Sequence, residues 1–330
     1  MIETLAVPCD ENLRRPRLAT PAVPASALAL IALIAGACAI GFAPILVRLA
    51  DTGPVASAFW RCALAAPLLW LWALASRARG QSAARMPRRA WWALALAGLC
   101  FAGDIGVWHY SVLYTSVANS TLLGNTAPLF VTLTGWLLWR QTVTRTYLVG
   151  LVLAFTGMFV LAGPNLGQPG TRMLGDALAA FAGAFYAGYM LAIKAARDEG
   201  VSTALAMATS TTVTALALLP IALLHADSFW PTAQAGWWVA IALVLVPQVL
   251  GQGLIAYASA HLPASLSSVI LLLQPVLAAL LAWGLFAEAI GPLQFIGGAV
   301  VLAGIWLSKR GSPQAGAART RRRSAAAVSW

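Results

Sequence analysis

Acidic side chains are scarce in this chain: ten Asp and Glu stand against 21 Lys and Arg in 330 residues, and charged residues of both signs make up 9%. A water-soluble globule of that size needs far more polar surface to cover it, so a soluble fold is excluded. Four cysteines and three histidines narrow the chemistry further. Cys9 lies near the N-terminus and Cys38, Cys62 and Cys100 in apolar stretches, no two of them at metal or disulfide spacing. They read as small packing residues. His109, His225 and His261 fall near helix ends, and of the acidic residues Asp104 alone lies well inside an apolar stretch. That leaves no paired acid and base, no metal cluster and no nucleophile triad. Neither an enzyme nor a metal or other cofactor is expected.

What fills the chain is apolar: 60% of residues are hydrophobic. Stretches long enough to cross ~30 Å of hydrocarbon at ~1.5 Å per residue fall at Ala27–Val47, Val55–Ala75, Ala90–Tyr110, Val117–Trp139, Tyr147–Leu161, Leu174–Lys194, Thr203–Leu224, Gly236–Tyr257, Ala264–Ala287 and Pro292–Ser308. The expected fold is an all-α integral membrane protein of ten transmembrane helices. Residues 1–26 and 309–330, rich in Pro, Gly, Ala and Arg, read as disordered cytoplasmic tails. Ala27–Val47 has the length of a secretory signal, but removing it leaves nine helices, and it is kept as the first span.

The chain also repeats itself. Laid over its own sequence at an offset of 147 residues, Gly106–Leu161 runs against Gly253–Ser308 without a gap. Tyr110 meets Tyr257, Pro128 meets Pro275, Trp136 meets Trp283, Gly150 meets Gly297 and Gly157 meets Gly304. Shared Pro, Trp and Gly positions mark a duplicated bundle, with repeats at 27–163 and 174–308. The formal net charge of +11 is a topology signal rather than a nucleic-acid footprint. With both termini cytoplasmic, Arg48 and Arg172 fall outside and Arg61 lies within a helix, while the other 18 of the 21 Lys and Arg fall inside. Five spans per repeat is an odd number, so the second copy enters the membrane inverted. Inverted repeats in an apolar chain point to a transporter.

Candidate site residues follow from what the bilayer penalises. A charge at membrane depth persists where it is paired or faces water. Arg61 and Asp104 lie at similar depth, about six residues or roughly 9 Å from the outer ends of the second and third spans. They read either as a static ion pair that fixes helix packing or as a gate or proton-responsive pair. The fourth span carries Asn119, Thr121, Asn125, Thr126 and Thr132, and the ninth Ser265, Ser267, Ser268 and Gln274. Asn125 and Gln274 each sit just before a matched proline, where the missing backbone donor frees the carbonyl four residues earlier. Such a polar opening is tolerated where it is buried in protein or lines a cavity. Trp108, Asn125, Gln252, Gln274, Tyr186 and Tyr189 are therefore the candidate substrate contacts, the alternative for each amide being a hydrogen bond between helices. His109, Tyr110, Gln248 and Tyr257 extend the same wall. Pro44, Pro128, Pro247 and Pro275 are candidate hinges. Gly150, Gly157, Gly297, Gly298 and Gly304 mark the fifth and tenth spans as a close-packed scaffold.

The segment GDIGVWHYSVLYTSVANSTLLGNTAP (residues 103–128), LQPV at Leu273–Val276, the Pro54 to Arg61 spacing and the Gly-rich fifth and tenth spans resemble the EamA-type members of the drug/metabolite transporter superfamily, over about residues 27–308. The resemblance implies a ten-helix inner-membrane transporter with a cavity lined by spans one, three, four, six, eight and nine. It would move small metabolites, amino-acid-like, nucleobase-like or drug-like, in the outward direction. Two positions depart from the family pattern: Gln141 stands where an acidic residue is expected, with Glu288 present in the second copy, and the second copy lacks a counterpart of Arg61. The expected partners are a small-molecule substrate and membrane lipids, with no nucleic acid. Inverted repeats close a cavity within one chain, so no oligomeric state follows. A membrane scaffold or ligand sensor without net transport is the competing reading. A channel ranks lower, because no ring of like charges is visible.

Overall fold

The computed structural model describes residues 25–78, 86–115, 117–140, 143–162, 171–225, 228–286 and 291–312. Both tails up to 24 and from 313, Gln141 and Glu288 lie outside the described residues, as do the side chains of Asn119, His225 and Trp283. The helices are α1 (Ala25–Gly41), α2 (Ala43–Leu49), α3 (Pro54–Ala78), α4 (Arg88–Tyr114), α5 (Val117–Gly124), α6 (Ala127–Trp139), α7 (Arg145–Ala162), α8 (Thr171–Asp198), α9 (Thr203–His225) and α10 (Gln234–Leu243). A π-helical stretch, Val244–Gln252, leads into α11 (Gly253–Ser259), followed by α12 (Ala264–Ile270), α13 (Leu273–Phe286) and α14 (Pro292–Gly311).

These elements make ten apolar spans. Eight are long and apolar enough to cross a membrane, and Arg145–Leu161 and Ala264–Ala278 are shorter apolar helices. Large apolar side chains face outward on many of them, including Leu71, Leu138, Leu224 and Phe295, the surface that lipid accommodates and water does not. The fold is that of a multi-pass membrane protein.

Four spans expected as continuous helices are interrupted, each beside one of the four prolines. The first breaks at Phe42, with Pro44 opening α2, and the fourth at Asn125 and Thr126, with Pro128 opening α6. The ninth breaks between Ile270 and Leu273, just before Pro275, and in the eighth Pro247 lies within the π-helical stretch. The physical cause is common to all four: proline has no N–H to give to the preceding turn, and its ring displaces that turn's carbonyl. The chain answers with a break or with a wider turn. At the offset of 147, the breaks in spans four and nine fall within one residue of each other in the two repeats.

At the C-terminus the helix runs past the expected start of the tail at 309. Lys309 and Arg310 occupy its last turn, where cations meet the negative end of the helix dipole. Arg310 also lies over the Trp306 ring, 3.7 Å from its centroid, and Thr144 Oγ1 donates to the Gly311 carbonyl at 2.7 Å.

Packing divides the bundle into two parts. In the main part α3 lies along α9 and α4 along α8, with Leu69, Leu94, Ile193, Met207 and Leu218 in the interior. In the other, α7 lies along α14. A Cβ on Gly157 would stand 2.5 Å from the Val301 amide nitrogen and 2.8 Å from the Gly297 carbonyl oxygen, and one on Gly297 would stand 2.5 Å from the Leu161 nitrogen. Backbone meets backbone along this seam, as the glycine pattern predicts for spans five and ten. Gly298 is the exception: it points away, 3.7 Å from Val276.

Candidate functional site

Where the broken spans converge they leave a cavity of about 80 Å³. Gly41 and Pro44 reach it from the α1/α2 break, Thr121, Gly124 and Asn125 from the end of α5, Gln252 from the end of the π-helical stretch, and Gln274 from the start of α13. Arg61 of α3, Phe101, Asp104, Ile105 and Trp108 of α4, and Tyr186 of α8 complete the wall. Spans one, three, four, six, eight and nine thus all contribute, and the second span adds Arg61.

Arg61 is held at several points. Its residue is 3% exposed. Nε donates to Gln248 Oε1 at 2.9 Å, Gln248 Nε2 donates to Thr211 Oγ1 at 3.2 Å, and the guanidinium carbon lies 5.7 Å from the centre of the Phe101 ring. Gln248 and Gln252 share a face of their helix, as their spacing implies, but they divide the work: Gln248 fixes the arginine and Gln252 lines the cavity. No salt bridge joins Arg61 to Asp104 among the described residues, although the two are close enough for each to feel the other's charge. The arginine has taken a neutral amide partner from the opposite repeat instead. Asp104 is half-buried on the cavity wall and makes no hydrogen bond among the described residues.

The neutral polar groups are arranged just as unevenly. Trp108 Nε1 donates to the Ser120 carbonyl at 3.1 Å, which ties α4 to α5. Asn125 Nδ2 donates to the Thr121 carbonyl at 2.7 Å and closes the frayed end of α5. Thr126 Oγ1 donates to the Ala180 carbonyl at 3.2 Å and joins the break to α8. In contrast, among the described residues Thr121 Oγ1 and Gln274 Nε2 are buried without a hydrogen-bond partner, Tyr186 Oη and Gln252 Oε1 have no partner but each other, and all four belong to residues of the cavity wall. Leaving a buried polar atom unmatched costs about 1–3 kcal/mol. Unmatched atoms also occur elsewhere in the bundle, as at Ser57 and Thr209, but those on the cavity wall face a space that water or a ligand can fill.

Of the six residues read as substrate contacts, Trp108, Asn125, Gln252, Gln274 and Tyr186 line the cavity. Tyr189 does not. It is buried behind the wall, its ring 5.7 Å from that of Tyr186 and 4.7 Å from that of Phe101, with its hydroxyl against Met207 Sδ at 3.9 Å. Three residues on from Tyr186, it lies on nearly the same helical face, and spacing alone does not separate lining from buttress. His109 also leaves the wall: fully buried, it bonds the Pro54 carbonyl through Nδ1. Tyr257 packs against the His261 ring at 4.9 Å. Thr132 turns to Tyr147 Oη, which donates to the Ser265 carbonyl at 3.1 Å and joins the two repeats. Of the hinge candidates, Pro44 touches the cavity, while Pro128, Pro247 and Pro275 are buried at the interruptions. Phe101 and Ile105 are wall residues that sequence reasoning missed, since an apolar residue in an apolar helix carries no signal of its own.

A multi-pass helical bundle whose interrupted spans enclose a small polar cavity is the class these features define. The chain belongs to the EamA-like transporter family, whose description fits residues 27–163 and 173–310. It is similar to the uncharacterized transporter YetK of Bacillus subtilis, at 29% identity over 62% of this chain, and spans 64% of that relative's length. It is also 29% identical, over 66% of its own length and 73% of the relative's, to a probable terminal-alkyne amino-acid exporter of Streptantibioticus cattleyicolor. A solved crystal structure shares its fold, with a TM-score of 0.69 at 20% identity over 86% of this chain and 96% of the other.

Proposed function

We propose that the chain is a secondary transporter of the bacterial inner membrane that exports small metabolites by alternating access. The observation that carries this reading is the cavity at the four interrupted spans, with unmatched polar atoms on its wall. Interrupted helices at membrane depth, contributed by both halves of an inverted repeat, are the usual construction of a carrier's central site. Rocking of one repeat against the other at Pro44, Pro128, Pro247 and Pro275 would open it to either side. Trp108, Asn125, Gln252, Gln274 and Tyr186 are assigned as substrate contacts, with Tyr189 behind them. Family membership supports transport over catalysis, and the relative named as an amino-acid exporter supports an outward direction and an amino-acid-like cargo. The positive charges assigned to the inner loops support cytoplasmic termini.

Counterflow in proteoliposomes tests the reading directly. Vesicles loaded with unlabelled substrate should concentrate labelled substrate transiently, and Asn125→Ala or Gln274→Ala should abolish this in protein that still melts normally. Binding without counterflow would instead favour the scaffold or sensor reading. Unchanged transport kinetics in both variants would overturn the site assignment.

A further inference from the structure

Where α6 stops and the ends of α7 and α14 meet, four cations gather without an acidic partner among the described residues. Arg140 follows α6, Arg145 opens α7, and Lys309 and Arg310 lie in the last turn of α14. Thr144 Oγ1 donates to the Gly311 carbonyl at 2.7 Å, which brings Arg145 and Arg310 side by side, since each is the chain neighbour of one partner in that bond. All four cations are exposed and make no hydrogen bond or ion pair among the described residues. The sequence supplies no counterion for them either. No Asp or Glu occurs from Ile105 to Gly175 or from Ala289 to the end of the chain, and the segment after Ser312 adds Arg319, Arg321, Arg322 and Arg323. Lys194 near the end of α8 shows the alternative, because it holds Asp198 at 2.8 Å. Like charges within a Debye length of about 10 Å repel one another, and a signal that only orients the chain needs basic loops but no such gathering.

The surface beside the cations is aromatic and apolar. Trp136 and Trp306, both more than half exposed, precede Arg140 and Arg310 by four residues, which is one turn or about 6 Å of helix. Arg310 lies over the Trp306 ring, 3.7 Å from its centroid, and a stacked guanidinium keeps the N–H groups on its edge free for a phosphate. Val149 and Val152 of α7 and Leu302 of α14 carry the exposed apolar surface further along the two helices. A ligand suited to this place has phosphate at the level of the cations and hydrocarbon at the level of the indoles, which describes a phospholipid rather than a soluble anion. The cations also fall into two sets, Arg140 with Arg145 at the turn between α6 and α7 and Lys309 with Arg310 on α14, as two phosphates on one headgroup require. We propose that this end of the bundle is a docking site for cardiolipin, the phospholipid with two phosphates and four acyl chains, which bridges the two sets and clamps the glycine seam between α7 and α14 at its end.

Melting of the purified full chain in detergent, with one lipid added at a time, tests the site. Cardiolipin should raise the melting temperature by about 4 °C or more, while phosphatidylglycerol at the same phosphate concentration should give less than half that shift and phosphatidylcholine none. Arg145→Gln/Arg310→Gln takes one cation from each set and should lower the cardiolipin shift to the level of phosphatidylglycerol. Arg145→Lys/Arg310→Lys keeps the charges and should keep most of the shift. Arg88→Gln/Arg89→Gln removes as many exposed cations from the start of α4 and should leave the shift unchanged. Should the Arg145→Gln/Arg310→Gln protein not fold, native mass spectrometry of the parent decides: one cardiolipin per chain should survive collision energies that strip phosphatidylglycerol. Equal shifts from the two anionic lipids, equal losses in the two glutamine variants, or cardiolipin stripped as readily as phosphatidylglycerol would overturn the proposal. So would silence of both lipids, which would pass the role of counterion to the N-terminal segment with Glu3, Asp10 and Glu11.

Discussion

The seam between α7 and α14 and the cavity between the interrupted spans are built by opposite rules. Along the seam, glycine removes side chains until two helices touch through their backbones, and tight packing supplies the stability. Around the cavity, proline opens helices, and Thr121 and Gln274 hold polar atoms with nothing to bond among the described residues. One region is complete in itself, and the other is complete only when occupied. The difference separates what keeps the protein folded from what it handles, and substitutions in the two regions should fail in different ways.

The largest effect belongs to the seam. A side chain on Gly157 meets the Val301 nitrogen and the Gly297 carbonyl, backbone atoms that cannot rotate away. Gly157→Leu should cost about 3 kcal/mol or more by overpacking and leave little protein that melts cooperatively in detergent. Gly284 is the control, because a Cβ added there would meet nothing within 4 Å: Gly284→Ala should change stability by less than about 0.5 kcal/mol. Equal damage from both would mean that the seam is not the structural partner in the comparison.

Cavity variants should do the reverse. Gln274→Leu keeps the bulk near the break in the ninth span and removes the unmatched Nε2. Relief of an orphaned buried donor is worth about 1–3 kcal/mol, so the variant should melt no lower than the parent, and higher if the orphan is relieved in full. Transport should fall at least ten-fold. That trade of function for stability is characteristic of a site left unsatisfied until it binds. A drop in melting temperature with transport intact would make Gln274 a packing residue and erase the contrast with the seam.

A smaller and more selective effect is expected at Gln248, which touches Arg61 and Thr211 rather than the cavity. Gln248→Ala frees the guanidinium to turn. Because Arg61 lines the cavity, the variant should raise the KM for substrate by roughly ten-fold, about 1.4 kcal/mol, with kcat little changed. Gln248→Glu should rescue orientation in part, because its carboxylate still accepts from Nε. A merely structural glutamine would show neither the KM-selective loss nor the rescue.

Much of this division was legible in the residues. Glycine and proline act through the backbone, which sequence spacing describes well, so the paired Gly150/Gly297 and Gly157/Gly304 gave the seam and Pro128/Pro275 gave the matched breaks. Partner choice was not legible. Equal depth favoured Asp104 for Arg61, but depth says nothing of rotation about the helix axis, and the guanidinium found Gln248, 187 residues away in sequence. Tyr189 and His109 were misplaced for the same reason: each is one helical step from a lining residue, and a small rotation decides between wall and interior.

The smallest effect lies at the loop that joins spans one and two, where Asp51 ties the first repeat to the second. Its Oδ2 accepts from the Thr232 and Ala233 amides at 2.9 Å each and from Thr232 Oγ1 at 3.0 Å, while the Gly53 amide donates to the Ser228 carbonyl at 3.0 Å. The Ala233 amide, with help from Thr232, holds the Asp51 carboxyl below the ordinary carboxylate range against a smaller opposing effect of burial. A folded-state pKa below the unfolded value of about 3.9 means that the stabilisation is fully present above that value and disappears as pH falls through the folded one. Between pH 5 and 8 the latch should therefore be constant, and the melting temperatures of the parent and Asp51→Asn should run parallel. Below about pH 4 the two should converge, because protonation removes from the parent what the substitution has already removed. The gap itself should be small, since a partly exposed carboxylate is screened by water. A gap that widens toward acid would show that the loop owes nothing to the charge on Asp51, and that the two repeats are joined on this side by the Gly53 to Ser228 bond and the ring of Trp60 packed on Phe229 instead.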